Sequence, residues 1–173
     1  GFDNFVRALT DTTIRGPLVA VTAWTFVFAI VSVASTFVLG LLLAIVFQSK
    51  RMRGRNIYRI LLILPYAFPA FLSALIWRGM MNESFGFINE VLLGGAEIPW
   101  LTDPVVAKIS VLLVNLWLGF PYMFLICMGA LQAIPEELTE AATVDGANAW
   151  QTFRRIKFPL LLVTVTPILI ASF

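Results

Sequence analysis

Apolar residues run without a charge from Gly16 to Ser49, from Ile60 to Trp77, from Ile109 to Pro135 and from Phe158 to Phe173, and the charged residues crowd between these runs. A helix of roughly 20 apolar residues crosses the hydrocarbon of a bilayer. Each of the first three runs therefore predicts a transmembrane span. The fourth reaches only about 24 Å at a rise of about 1.5 Å per residue and reads as the start of a further one. The boundaries expected are a lead-in at 1–16, a span at 17–48, a loop at 49–58, a span at 59–80, a loop at 81–105, a span at 106–131, a loop at 132–158 and the opening of another span at 159–173. Asp3, Arg7 and Asp11 alternate with Phe2, Phe5 and Leu9 near helical spacing, as in an amphipathic segment outside the membrane. Pro65 and Pro69 are expected to break the second span and Pro121 the third. Such breaks are tolerated where protein covers the freed backbone or a cavity receives it. The fold class is all-α, a polytopic transmembrane helical bundle with three full spans and a truncated fourth.

Composition agrees: 60% of the 173 residues are hydrophobic and 13% charged, with a mean hydropathy of +0.90. Soluble domains carry charge on about a quarter of their residues. The chain begins at Gly1 with no charged-then-apolar leader, which reads as an internal piece of a longer protein. Cys127 is the only cysteine and stands in an apolar run, so a disulfide framework is excluded and a buried small hydrophobe is its expected role. The absence of histidine removes the commonest metal ligand and proton shuttle. A net charge of +2 is too small for a nucleic-acid surface.

Charge in the loops sets the orientation. Lys50, Arg51, Arg53, Arg55 and Arg59 make the first connection basic, as do Arg154, Arg155 and Lys157 in the last. The loop between them carries Glu83, Glu90, Glu97 and Asp103. Short basic loops stay on the cytoplasmic side, so 49–58 and 132–158 are expected inside and 81–105 outside. In the outer loop, Pro99 and Trp100 are a candidate surface for a periplasmic protein.

The last polar loop has its own pattern. Pro135 presets a first helical turn, and Glu136 and Glu137 place negative charge at the positive end of the helix dipole. Glu140, Ala141 and Ala142 follow, then three residues and Gly146, then nine residues and Ile156, with Phe158 and Pro159 beyond. The spacing suits two short helices meeting at a tight corner, which glycine turns most cheaply. This arrangement resembles the EAA loop of the membrane subunits of binding-protein-dependent ABC importers: Glu-Ala-Ala, three residues, Gly, nine residues, Ile, any residue, Leu-Pro. Phe158 replaces the leucine. The resemblance implies a type I importer transmembrane domain and a cytoplasmic pair of coupling helices seated in a cleft of an ATPase subunit. Glu140, Ala141, Ala142, Gly146, Ile156 and Pro159 are then the coupling residues. Leu138, Ala142, Trp150, Phe153 and Ile156 are the candidate docking and packing face, with burial against the chain's own spans an equal alternative for Trp150 and Phe153. The chain has no G-x-x-x-x-G-K-[ST] sequence, so ATP and Mg are expected on a partner chain and this one is not an enzyme.

Inside the third span, Asn115, Trp117, Gly119 and Tyr122 fall within about two turns. Polar groups there cost free energy unless they meet protein, water or ligand. Simple helix–helix packing is one use for them. The other is suggested by what they offer: amide, phenol and broad aromatic faces without a charge, which match a neutral polyhydroxylated ligand. A secondary transporter would call for intramembrane ionisable groups or inverted repeats, and an intramembrane enzyme for a nucleophile with a base, paired carboxylates or a metal. The uncharged runs contain none of these.

Three runs sharpen the resemblance: Leu62-Ile63-Leu64-Pro65-Tyr66-Ala67-Phe68-Pro69, then Asn115-Leu116-Trp117-Leu118-Gly119-Phe120-Pro121-Tyr122, and Pro167-Ile168-Leu169-Ile170-Ala171-Ser172-Phe173. Over nearly the whole chain they resemble the maltose/maltodextrin permease branch of the importer family. That implies sugar contacts at Tyr66, Asn115, Trp117, Leu118, Gly119, Tyr122 and Ser172. It also implies a second permease subunit, a cytoplasmic ABC ATPase dimer and a periplasmic sugar-binding protein as partners, in the bilayer of a bacterial inner membrane. Ala70 stands where that branch has a serine, so one hydroxyl is missing. The alternatives are a permease for another neutral sugar or polyol, or an ATP-independent secondary transporter.

Overall fold

The computed structural model describes residues 1–49 and 52–173. Its helices are α1 (Asp3–Thr10), α2 (Thr12–Phe47), α3 (Arg55–Ala67), α4 (Ala70–Met80), α5 (Pro104–Gln132), α6 (Glu136–Val144), α7 (Ala149–Thr152) and α8 (Phe158–Ser172). π-helical turns occupy Ile88–Leu92 and Phe153–Lys157. The second of these joins α7 to α8, so Ala149–Ser172 runs as one helix of 24 residues. That helix, α2 and α5 are each long and apolar enough to cross a membrane, and α3 with α4 forms an apolar pair bent by 92°, the shape of a broken span or of a re-entrant loop. Lys50 and Arg51 lie outside the described residues, which leaves Arg53 and Arg55 to represent the first basic connection.

Local chemistry explains the starts of the long helices. Asp11 caps α2, its Oδ1 accepting from Thr13 N at 2.9 Å and Thr13 Oγ1 at 2.6 Å. The Thr13 hydroxyl, then its amide, hold the Asp11 carboxyl below its ordinary value. A depressed folded-state pKa means the cap supports the helix at neutral pH and loses that support as acidification protonates the carboxylate. Asp103 does the same for α5, accepting from Val105 N at 2.9 Å and Val106 N at 2.8 Å with Pro104 in the first turn.

The prolines behave differently from one another. Only Pro69 marks a break: Phe68, the residue before it, is extended at φ −87° and ψ 142°, as the clash with the proline ring favours. The expected breaks at Pro65 and Pro121 do not occur, because both residues lie inside continuous helices. Pro121 is fully buried. The packing of α5 along α2 encloses this turn, where neighbouring protein covers the carbonyl that the missing N–H leaves free.

Close approach of α2 and α5 builds the core. At Gly40 an added Cβ would sit 2.7 Å from the backbone nitrogen of Phe124 and 2.8 Å from Met123, and at Gly119 it would sit 2.8 Å from Thr36 Cγ2. Small residues thus let the two backbones meet, as membrane helices do in place of a hydrophobic drive. Below that contact Phe47 meets Phe124 edge-on at 5.1 Å. Ala44, Cys127, Leu161 and Val165 fill the same cluster with no exposed surface, so Cys127 is a packing residue. Lys108 Nζ lies 4.9 Å from the Trp24 ring centroid, a cation–π contact that joins α5 to α2 nearer the other end.

The bundle's two ends are distinct. Lys157 Nζ reaches Gln48 Oε1 at 3.4 Å, which places the Gly146 loop and the end of α2 together. At the opposite end, the connection from α4 to α5 is organised around Asn89, 1% exposed. Its amide donates to Glu83 O at 3.2 Å and Ile98 O at 3.1 Å, and its Oδ1 accepts from Trp100 Nε1 at 2.7 Å. The indole N–H of Trp100, a residue expected on a docking surface, is thus engaged within its own loop while the side chain stays half-buried. Removing the amide takes these partners from a part-buried indole N–H and two part-buried carbonyls, at up to about 1–3 kcal/mol for each group that water does not reach. Asn89→Ala is expected to open this loop, read as faster proteolytic cleavage within residues 81–103 at unchanged cleavage elsewhere.

Candidate functional site

Two regions collect the residues singled out by the sequence. The first is a cavity of about 360 Å³ between α2, α5 and the end of α8, lined on the α5 side by Asn115, Gly119, Tyr122 and Met123 and at its end by Ser172 and Phe173. Asn115, Gly119 and Tyr122 recur at helical spacings of four and three residues, so about 100° per residue returns them to one face. Tyr66, half-exposed on α3, lies stacked on Tyr122 with ring centroids 6.1 Å apart and planes inclined by 21°. Ser172 borders the cavity while its Oγ donates to Ile168 O at 2.8 Å.

Trp117 and Leu118 are not part of that wall. Trp117 meets Trp77 of α4 edge-on at 5.9 Å and Phe120 at 5.9 Å. Leu118 lines a second, more apolar cavity of about 340 Å³ between α4 and α5. Asn115 borders both cavities and connects the two subsets. Ala70 is the first residue of α4, directly after the break at Pro69.

The other wall of the first cavity comes from α2: Thr25, Phe28, Ala29, Ser32, Val33 and Thr36. The sequence reading passed over this helix because its run is so apolar. The signal was present all the same. Thr25, Ala29, Ser32, Thr36 and Gly40 are spaced four, three, four and four residues apart, a stripe of small and hydroxylated positions on one helical face. Not one residue lining the cavity carries a charge. The volume lies within the range of about 300–1,000 Å³ usual for small-molecule sites.

The second region is the loop from α5 to α8. Gly146 adopts φ +80°, the left-handed conformation expected of a glycine corner. Around it Gly146 N donates to Thr143 O at 3.1 Å and Ala147 N to Ala142 O at 2.9 Å, which together make a Schellman closure of α6. A capping box opens the next helix: Gln151 N donates to Asn148 Oδ1 and Asn148 N to Gln151 Oε1, both at 2.9 Å. The corner is therefore defined by backbone bonds on both sides.

Side chains divide across this loop. Ala142 is buried and Ala141 exposed, Ile156 lies half-buried in the π-helical turn, and Pro159 is in the first turn of α8. Glu140 borders a hollow of about 510 Å³ with Arg55, Glu136 and Lys157. Trp150 is 65% exposed and Leu138 42%, whereas Phe153 stacks on Trp150 at 5.9 Å and packs against the core cluster. Trp150 and Leu138 are thus presented outward, and Phe153 ties Trp150 to the bundle.

Known proteins resemble this arrangement. The family model described as "Binding-protein-dependent transport system inner membrane component" matches residues 36–173. The maltose/maltodextrin transport system permease protein MalF of Vibrio vulnificus is 53% identical over 175 residues, covering 100% of this chain and 34% of that protein. Its Escherichia coli counterpart is 47% identical with the same coverage. The chain spans about a third of the length of these curated relatives. Among solved structures, a bacterial ABC transporter that imports the acidic polysaccharide alginate aligns over 99% of this chain and 60% of its own, with a TM-score of 0.85 at 24% identity. That likeness is one of fold.

Proposed function

The chain belongs to the family of binding-protein-dependent transport system inner membrane components, and from that premise we propose that it forms part of the translocation path of an ATP-driven importer of maltose or maltodextrin. The observation that carries this reading is the uncharged cavity that gathers Asn115, Gly119, Tyr122 and Ser172, beside the Tyr66–Tyr122 stack. Rings of this kind cover the C–H faces of a sugar, and amide and hydroxyl groups exchange hydrogen bonds with its hydroxyls. An electrically neutral wall gives no purchase to an ion or a proton relay.

Energy enters at the opposite end in this proposal. The Gly146 loop and the basic connection around Arg55 face the cytoplasm, following the excess of positive charge, and the Asn89 loop faces the periplasm. A cytoplasmic ABC ATPase dimer holds ATP and Mg and grips Leu138 and Trp150, with Glu140, Ala141, Ala142, Gly146, Ile156 and Pro159 forming the lever. A second permease subunit completes the path, and a periplasmic binding protein delivers the sugar. Closure of the ATPase pair moves the lever and switches the helices between two packings, so the site opens to one side at a time. The chain itself is a transport subunit of a bacterial inner membrane and performs no chemistry on the sugar.

Tyr122→Ala and Trp117→Ala in the full-length permease separate contact from support. Tyr122→Ala is expected to cut maltose uptake by about tenfold or more while the four-component transporter still assembles, since it removes both the stacking face and a phenol. Trp117→Ala removes packing against Trp77 and is expected to lower the yield of assembled transporter and uptake together. Normal uptake by an assembled Tyr122→Ala transporter defeats the proposed site.

A further inference from the structure

Among the described residues, the Oγ of Ser32 is buried without a hydrogen-bond partner. Ser32 is 8% exposed and borders the cavity shared with Asn115, Tyr122 and Ser172. Its neighbours on α2 show that this helix can satisfy such groups when it needs to. Thr36 Oγ1 donates to Ser32 O at 2.8 Å, and Thr25 Oγ1 to Val21 O at 2.9 Å. Buried polar groups are nearly always paired, and an unpaired one costs free energy that calls for an explanation.

Resting on the sugar-path reading above, the geometry points to Ser32 as a further sugar-contacting residue, the α2 hydroxyl that pairs with a hydroxyl of the bound saccharide across the cavity from Asn115 and Tyr122. Three features converge on this assignment. The group is unsatisfied, it stands at the wall of an uncharged cavity of suitable size, and the facing wall carries the amide and phenol that suit a polyol. A serine hydroxyl both donates and accepts, so it discriminates by demanding a hydroxyl at one position of the sugar. An analogue lacking that hydroxyl leaves the Ser32 hydroxyl unpaired in the complex as it is in the free chain, and the advantage of the natural ligand is lost.

A packing role and a contact role make opposite predictions. Because the hydroxyl is unpaired in the free protein, Ser32→Ala removes a cost of folding and is expected to leave the melting temperature of the assembled transporter unchanged or raised. Maltose transport at limiting sugar is expected to fall by roughly threefold to tenfold, the size of one lost hydrogen bond. The test uses the complete reconstituted transporter with its ATPase, second permease subunit and binding protein. Maltose and a panel of singly deoxygenated maltoses are compared in the unaltered protein, Ser32→Ala, Ser32→Thr and Tyr122→Ala. One analogue is expected to be transported poorly by the unaltered protein and equally with maltose by Ser32→Ala. Ser32→Thr is expected to restore the discrimination.

If Ser32→Ala transports every member of the panel as the unaltered protein does while Tyr122→Ala fails, Ser32 is not a contact and the sugar path stands. Unaltered transport by both variants overturns the path and the contact together. A fall in melting temperature that matches the fall in transport for Ser32→Ala makes the hydroxyl structural and also overturns the assignment.

Discussion

Gly146→Val is expected to uncouple the transporter, with maltose uptake reduced by at least about tenfold while the subunit still inserts and assembles. The reason lies in the backbone alone. Nothing stands within 4 Å of a Cβ built at Gly146, so the added side chain meets open space, but φ is +80°. An L-residue in the left-handed region costs about 1–2 kcal/mol, and a β-branched one more. About 1.4 kcal/mol corresponds to a factor of ten in a rate or an equilibrium. The strain is relieved by opening the corner, which breaks the bonds from Gly146 N to Thr143 O and from Ala147 N to Ala142 O and lets α6 swing freely on α7. Asparagine tolerates the left-handed region, so Gly146→Asn is expected to keep most of the activity. Uptake and ATP hydrolysis measured side by side in proteoliposomes decide the matter. Full coupling in Gly146→Val would mean that the corner's geometry does not transmit force.

The second large effect is expected at Gly40, and it concerns assembly rather than coupling. A Cβ there would stand 2.7 Å from Phe124 N and 2.8 Å from Met123 C. Both are backbone atoms, which cannot rotate aside as a side-chain tip could. Gly40→Val therefore forces α2 and α5 apart along the contact that holds the core, and overpacking of this kind costs about 1–3 kcal/mol even where side chains can yield. The expected result is a lowered melting temperature and a smaller yield of assembled transporter, with uptake falling in proportion to yield. Gly79→Ala supplies the comparison, because its added Cβ meets nothing within 4 Å, and it is expected to be silent in all three measurements. A fully assembled Gly40→Val transporter would show that the helix pair has slack its backbone contacts do not display.

These two glycines also mark what could be read from the chain and what could not. Gly146 was legible because its role is local: the residues around it specify a helix end, a turn and a new cap within a dozen positions. The spans were legible for a similar reason, since the length of an uncharged run is a property of the sequence. Family likeness added candidate contacts but not their arrangement. The period of α5 already separates Trp117 from the face shared by Asn115, Gly119 and Tyr122, and the structure sets Trp117 beside Trp77.

By itself, then, the sequence determined the helical class, the number of apolar runs, the corner at Gly146 and the polar face of α5, all of which depend on residues near one another in the chain. Tertiary structure alone decided that Gly40 is a point of backbone approach and Gly119 a seat for the Thr36 side chain, that α5 runs unbroken through Pro121, that the Trp100 indole bonds Asn89, and that Ser32 lines the same cavity as Tyr122. The physical reason is that a helix's period fixes which of its own residues share a face, whereas the partner of that face is chosen by packing among segments far apart in sequence.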